Sequence, residues 1–205
     1  KWSVLPLGDQ PGNTATFSVS GGSLHISTNG GSDGHMGIAD GGRIRPKGVV
    51  LDGDFTIVAD ITEIMRGYNG YANRSCAMLW MHDAAADVNS ASSQKAMVAI
   101  CGDSTNNGVP DRSIFGWSGD AVAFQDTLAA GKYYQVETRI RRSSGQIYLG
   151  YRMAGSPNWK EVASTGTPVT MNLVPEIIIW SGDGGGTRIN GSFAADINSV
   201  VITSP

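Results

Sequence analysis

One stretch of this chain concentrates the groups that recognise or transform polar ligands. It is "QVETRIRRSSGQIYLGYRMAGSPNWKEV", Gln135 to Val162. Two strands are predicted to turn back on each other at Ser143, Ser144 and Gly145. Side chains alternate between the faces of a strand. Val136, Thr138 and Ile140 therefore share one face, with Ile147, Leu149 and Tyr151 inward on the return strand. Glu137, Arg139, Arg141, Tyr148 and Arg152 fall on the other, with Gly150 between the last two. Such a plate offers planar guanidinium forks for hydroxyls or carboxylates, and an aromatic face on which a flat apolar surface can stack. The plainer alternative is a solvated face laced with ion pairs, each worth ~0–1 kcal/mol.

The five tryptophans, Trp2, Trp80, Trp117, Trp159 and Trp180, are the next signal. Trp117 and Trp180 each precede a Ser-Gly-Asp sequence, where an indole serves as a stacking platform or as a core lid with its N–H on a loop carbonyl. Trp80 shares its strand face with Cys76, Met78 and His82. That face is either a ligand face or core. His82 ends this strand, where it could bond a hydroxyl, act as a base, or be a satisfied structural histidine. His25 alternates away from Leu24 and Ile26 and is expected to be exposed, while His35 carries no pattern. Among the aspartates, Asp52 and Asp54 in "DGD" and Asp196 in "AADINS" are the candidate ligands of a structural calcium, which takes oxygens from carboxylates and loop carbonyls. Their alternative role is turn formation.

The elements that must position these groups read as strands throughout. "ATFSVSGGSLHIST" is a predicted hairpin turning at Gly21 and Gly22, with Phe17, Val19, Leu24 and Ile26 inward. "NGGSDGHMGIADGGRIRPKG" reads as a loop. "DFTIVADITEI" alternates Phe55, Ile57, Ala59 and Ile61 against Thr56, Val58, Asp60 and Thr62. "SCAMLWMHD" and "KAMVAICGD" are nearly continuous apolar runs. "RSIFGW" and "AVAFQD" flank a turn at Ser118, Gly119 and Asp120. "WKEVAST", "PEIIIWSG" and "SFAADINSVVITS" complete the set. A dozen or more short strands, with no convincing 3.6-residue periodicity, imply one all-β domain over 1–205: an antiparallel two-sheet β-sandwich of jelly-roll type.

Composition narrows the function classes. The chain has 205 residues, 28 of them glycine, and a net charge of -3. Weak negative charge argues against nucleic acid, whose phosphates demand a clustered basic surface. No apolar run is long enough to span a bilayer, so no membrane partner is expected. Cys76 and Cys101 end predicted hairpin partners. If Trp80 lies near Val98 they come close to opposite, as a disulfide or as two small buried apolar residues. Lys1 opens no signal peptide. The expectation is a mature chain or a module of a longer protein, and polarity drawn from Ser, Thr, Asn and Gly suits a secreted one.

The segments "KWSVLPLGD", "GSLHIST", "GIADGG", "LDGDFTIVADIT", "CAMLWMHDAAA", "KAMVAI", the stretch from Tyr133 to Val162, and "GSFAADINSVVI" together resemble the concanavalin A-like lectin/glucanase group. The resemblance is strongest to laminin G-like modules appended to secreted bacterial glycoside hydrolases. Those modules often carry Gly-Leu-Met-hydrophobic-Arg where this chain has "AMLWMHD", without the arginine. The resemblance implies a polysaccharide partner, an attached catalytic domain, and a calcium near Asp196 like the one that ties terminal strands in many such modules. A glucanase of the group carries Glu-x-Asp-x-x-Glu, supplying carboxylates ~5–10 Å apart. Here Glu63, Glu137, Glu161 and Glu176 have no such partner. A polysaccharide lyase needs a cation to neutralise a uronate carboxylate and a Tyr or His to move the proton. Arg139, Arg141, Tyr148 and His82 are the residues for that role, although the Arg-x-Glu-x-Arg and Gln-x-His strands of jelly-roll lyases are missing. An adhesive protein-interaction domain is a third class. The expectation is a non-catalytic carbohydrate-binding module that holds a polysaccharide on a concave sheet face or loop rim, with a lyase as the alternative.

Overall fold

The computed structural model describes residues 2–6, 15–28, 40–66, 74–86, 94–102, 112–119, 121–128, 133–164, 166–182 and 192–204, and among these residues lie fourteen strands and no helix. In chain order they are β1 (Trp2–Pro6), β2 (Thr16–Ser20), β3 (Ser23–Thr28), β4 (Asp40–Pro46), β5 (Phe55–Arg66), β6 (Arg74–Asp83) and β7 (Gln94–Gly102). Then follow β8 (Arg112–Ser118), β9 (Ala121–Leu128), β10 (Tyr133–Ser143), β11 (Gln146–Met153), β12 (Lys160–Ala163), β13 (Leu173–Gly182) and β14 (Ser192–Thr203). They form two seven-stranded sheets. Sheet A runs β1-β4-β13-β6-β7-β8-β9 and sheet B runs β12-β11-β10-β5-β14-β3-β2. Every pairing between them is antiparallel. The two-sheet sandwich expected from strand count and turn spacing is the fold observed.

The core lies between the sheets. β5 contributes Phe55, Ile57, Ala59 and Ile61, and β10 and β11 contribute Val136, Ile140, Ile147 and Leu149. Sheet A answers with Leu79, Met81, Val98, Ile100, Ile114, Ile177 and Ile179. Gly116 leaves room on this inner face for Phe124, whose ring would lie 2.3 Å from a Cβ there. The hairpin between β10 and β11 turns where predicted, with Ser144 and Gly145 both at positive φ (50° and 79°). That backbone twist matches the right-handed twist of the flanking strands.

Sheet A is buried on its other face as well. Cys76, Met78, Trp80, Ala99, Cys101 and Ile178 form a second apolar cluster there, with Met97 and Phe115 packed against it. Burial on both sides explains why β6, β7 and β13 read as unbroken apolar runs, whereas β5, solvated on one face, reads as strict alternation. Cys76 and Cys101 sit directly opposite each other within this cluster, Cα atoms 4.2 Å apart, and form a disulfide. Trp80 pairs with Met97 rather than Val98, a one-residue difference that brings the cysteines into register.

Two expectations are corrected. The Gly- and Asp-rich segment from Asn29 to Gly48 is not all loop. Its second half is strand β4, held between β1 and β13. Glycine weakens strands by entropy, but two flanking ladders outweigh that local preference. Val19 is on the inward side of β2 yet 78% exposed: β2 is the edge strand of sheet B, and among the described residues nothing covers its tip. His35, Asp33, Asp103, Asp120 and Asp183 lie outside the described residues.

Candidate functional site

The residues singled out from sequence divide between two surfaces on opposite sides of the sandwich. The plate is on the outer face of sheet B. Glu137 pairs with Arg152, Arg139 with Gly150, and Arg141 with Tyr148, as alternation required. Trp80, His82 and Trp117 are on the outer face of sheet A, on β6 and β8. Trp180 lies in β13 beside Cys76; its side chain is outside the described residues. The lyase set of Arg139, Arg141 and Tyr148 with His82 is therefore divided by the whole sandwich.

The plate is bonded within itself. Glu161 on β12 receives Arg139 Nη2 at 2.7 Å on one oxygen and Arg141 Nη2 at 2.9 Å on the other. Arg152 donates to Glu137, which holds its guanidinium even further up than its ordinary value. The Arg139 and Arg152 guanidinium carbons lie 4.0 Å and 4.8 Å from the Trp159 ring centroid, and that of Arg141 lies 3.9 Å above Tyr148. Aromatic faces that a sugar would stack on are thus occupied by cations. Gly150 makes this geometry possible, since a Cβ there would meet the Lys160 carbonyl at 2.7 Å. Sequence reasoning named Trp159 and Glu161 but assigned neither to the plate. The signal was available in "NWKEV", whose alternation puts Glu161 on the outer face beside Gly150.

The polar network continues across sheet B. Gln135 donates to Asp60, Asn198 to Asp60 and Thr62, and Ser23 to Asn198. His25, half-buried rather than exposed, pairs with Asp196. Asp54 accepts from the Ser144 backbone N–H at 2.8 Å. Asp54 precedes the first residue of β5, and Asp196 is opposite Thr62 toward its other end. The three carboxylates proposed for calcium therefore do not converge, because β5 separates Asp52 and Asp54 from Asp196. Among the described residues no group of three or more carboxylate, histidine or cysteine ligands gathers.

The outer face of sheet A carries a cluster that sequence reasoning did not foresee. Glu176, with a side chain wholly removed from solvent, accepts from Arg45 Nε at 2.7 Å. His82 Nε2 is 3.1 Å from the same Glu176 oxygen and 3.1 Å from Arg45 Nη2. Arg43 Nε is 3.7 Å from the other oxygen. Three strands supply nothing but alternation to achieve this. Arg43 and Arg45 flank inward Ile44 on β4, and Glu176 precedes inward Ile177, the cross-strand partner of Ile44, on β13. Trp80 is the partner of Glu176 on β6, and His82 lies one outward position further along it. Two guanidiniums, of Arg43 and Arg45, thus flank the Glu176 carboxylate, with the His82 ring beside it. Arg45 keeps about a third of its side chain (31%) exposed, while Arg43, His82 and Glu176 are buried.

The register extends this cluster into a transverse row. Glu176 pairs with Trp80, Trp80 with Met97, and Met97 with Trp117. A cationic end at Arg45 thus leads across four strands to a half-buried indole at Trp117, with Trp80 and Met97 as the apolar floor. Such a line offers donors for oxygen-rich groups at one end and a stacking surface at the other.

No protein-family model matches the chain, and no curated protein matches its sequence. Solved structures do match its fold. The marine PL7 alginate lyase AlyA1 from Zobellia galactanivorans superposes with a TM-score of 0.60 at 11% identity, over 95% of this chain and 82% of that one. The legume lectin-like domain from Entamoeba histolytica gives 0.55 at 12% identity, over 100% and 90%. The Ca2+/Man3GlcNAc-bound exoplasmic/lumenal domain of VIP36 gives 0.53 at 14% identity, over 100% and 85%. The chain has the jelly-roll β-sandwich of these concanavalin A-like lectins and lyases.

Proposed function

We propose that this domain is a non-catalytic carbohydrate-binding module and that its ligand is a polysaccharide bearing carboxylates. The part-exposed residues on the outer face of sheet A, Arg45, Met97 and Trp117, are its binding surface, above the buried Trp80 and Glu176. The observation that carries this reading is the row from Arg45 through Glu176, Trp80 and Met97 to Trp117. Its buried ion cluster is not an economical way to stabilise a sheet, because desolvating such charges offsets most of their attraction. A surface held in one geometry to receive an anionic, ring-shaped ligand accounts for it better. The fold neighbours include the VIP36 exoplasmic/lumenal domain in a Man3GlcNAc-bound form, a legume lectin-like domain and an alginate lyase, in keeping with a sugar polymer as partner. In this proposal the module is attached to the catalytic domain of a secreted enzyme, as the resemblance read from its segments implies. The described carboxylates supply no calcium cage, so no contact in this reading runs through a metal.

A lyase is the second reading, favoured by one observation: Arg45 and His82 are together on this face. Yet His82 Nε2 is directed at Arg45 and Glu176, and only 4% of its side chain reaches solvent. A general base must reach the proton it removes. Among the described outer-face residues of sheet A, Glu176 is also the single carboxylate, so the paired carboxylates of a hydrolase are not assembled there.

Affinity electrophoresis on neutral and acidic polysaccharides tests the proposal. Retardation on an acidic polymer, reduced by Arg45→Ala and by Trp117→Ala with the fold intact, is expected. Retardation unchanged in both variants would remove sheet A from consideration. If Tyr148→Ala or Arg139→Ala alone abolished it, the plate on sheet B would be the site. Release of unsaturated product from alginate, glucuronan or xanthan would instead establish the lyase.

A further inference from the structure

The end of sheet B where the hairpin turns holds a cleft of about 280 Å³, lined by Asp54, Phe55, Thr56, Arg141, Arg142, Ser143, Thr203 and Ser204. It is on the opposite side of the sandwich from the row ending at Trp117, so it is independent of that surface. We propose that this cleft is a second carbohydrate subsite, one that takes a single sugar ring at the end of a chain.

Its chemistry is that of polyol recognition. Asp54 offers a carboxylate and Arg141 a guanidinium on the same rim. Neighbouring hydroxyls of a sugar can donate to the first while accepting from the second. Hydroxyls of Thr56, Ser143, Thr203 and Ser204 surround them. Among the described lining residues the one aromatic is Phe55, which is 2% exposed with Arg142 over its ring, so ring hydroxyls rather than ring faces are what the cleft reads. The volume is at the lower limit of the ~300–1,000 Å³ usual for ligand pockets, which suits one pyranose rather than an extended polymer.

The walls are fixed before any ligand arrives. Arg142, 3% exposed, donates to the carbonyls of Gly53, Met171 (2.6 Å) and Leu51 (3.3 Å), and so pins the turn that precedes Asp54. Asp54 is oriented by the Ser144 N–H, and Arg141 by Glu161 and the Tyr148 ring. Thr203 Oγ1 donates to the Thr56 carbonyl across the cleft's β14 side. Groups already immobilised lose little conformational freedom on binding. This is what allows a shallow cleft to hold a small polar ligand at all.

Backbone amide shifts recorded while methyl glycosides of glucose, galactose, mannose and glucuronate are titrated in give the test. Saturable shifts at Asp54, Thr56, Ser143 and Ser204 with at least one glycoside are expected, with a dissociation constant of ~1 mM or weaker. The variant Thr203→Tyr fills the cleft from an exposed position, and Thr56→Val removes one hydroxyl at constant shape. Each is expected to weaken the shifts at least about tenfold, the effect of one or two lost hydrogen bonds. No saturable shift at these residues with any of the four, or shifts indifferent to Thr203→Tyr, overturns the subsite. Shifts confined to the neighbourhood of Trp117 would overturn it as well, while leaving the sheet A proposal standing.

Discussion

Tyr151 and Asp126 tie the two sheets together. The phenol on β11 of sheet B donates across 2.7 Å to Asp126 Oδ2 on β9 of sheet A, and Lys160 on β12 adds its ammonium at 2.6 Å. This closes one lateral edge of the sandwich over the Phe124 and Tyr151 rings, whose centroids are 5.7 Å apart.

The latch makes stability depend on pH at both extremes. Burial raises the Asp126 carboxyl, but hydrogen bonds from Lys160 and Tyr151 and the Lys160 charge outweigh it and leave the group below its ordinary 3.8. The unfolded chain then takes up that proton more readily. The carboxylate's contribution is present above about pH 4 and lost as acid carries the pH through the lower folded value. Burial, then the Asp126 hydrogen bond and charge, push the Tyr151 phenol from 10.0 up to about 12. Its contribution is full below pH 10.0 and is lost on the way to about 12. Asp126→Asn should flatten the acid limb of the urea midpoint against pH, and Tyr151→Phe the alkaline limb. Profiles parallel to wild type would show that the latch adds nothing.

Glu176→Ala leaves Arg45 and His82 facing the place of a missing carboxylate in a desolvated setting. A loss of about 3–5 kcal/mol is expected, as for other broken buried ion clusters. Glu176→Leu combined with Arg43→Leu and Arg45→Met should recover most of it, because the charges leave together. Chemical denaturation of the two variants separates these cases. A loss below about 1 kcal/mol for Glu176→Ala would mean that the cluster is effectively solvated.

The disulfide closes a loop between residues 25 apart in sequence. Loop-closure entropy then assigns it roughly 3 kcal/mol. Cys76→Ala with Cys101→Ala should lower the unfolding free energy by about that amount and raise the m-value, because the unfolded chain without the cross-link exposes more surface. The same shift should appear in wild-type protein unfolded with reductant.

Arg142 serves four carbonyls, those of Leu51, Gly53, Val169 and Met171, from a buried position, and desolvation holds its guanidinium below its ordinary value. Arg142→Met keeps the aliphatic stem and deletes the donors. It should cost about 3 kcal/mol, since each bond to a charged donor is worth ~1.5–3 kcal/mol and water recovers part of the loss. Thermal unfolding is the measurement, with Arg142→Lys expected to lie between.

Local pattern carried much of this architecture. Alternation in "DFTIVADITEI" placed the faces of β5 residue by residue, and the glycines at 21–22 and 145 marked their hairpins correctly. Alternation also predicted that Arg139, Arg141 and Tyr148 share a face. Alternation in "NWKEV" also puts Glu161 on that face, but the contacts of Glu161 and Trp159 with those arginines depend on the path between β11 and β12. Glu176 meets Arg45 across 131 residues, and no local property of "VPEIII" distinguishes this glutamate from a solvated one. β4 was hidden by its glycines, and Arg43 and Arg45 with it. Trp80 and His82 lay on an apolar run whose two faces are both buried, so parity gave a face but not its environment.

The row on sheet A also works as a ruler. Adjacent strands are ~4.8 Å apart, so the four steps from β4 to β8 set Arg45 and Trp117 ~19 Å apart across the sheet. A monosaccharide can touch one terminus of that span and never both. Avidity for oligomers should therefore climb with each added unit until the chain bridges the two ends, then level off, and the length at the plateau reports the distance between a guanidinium and an indole.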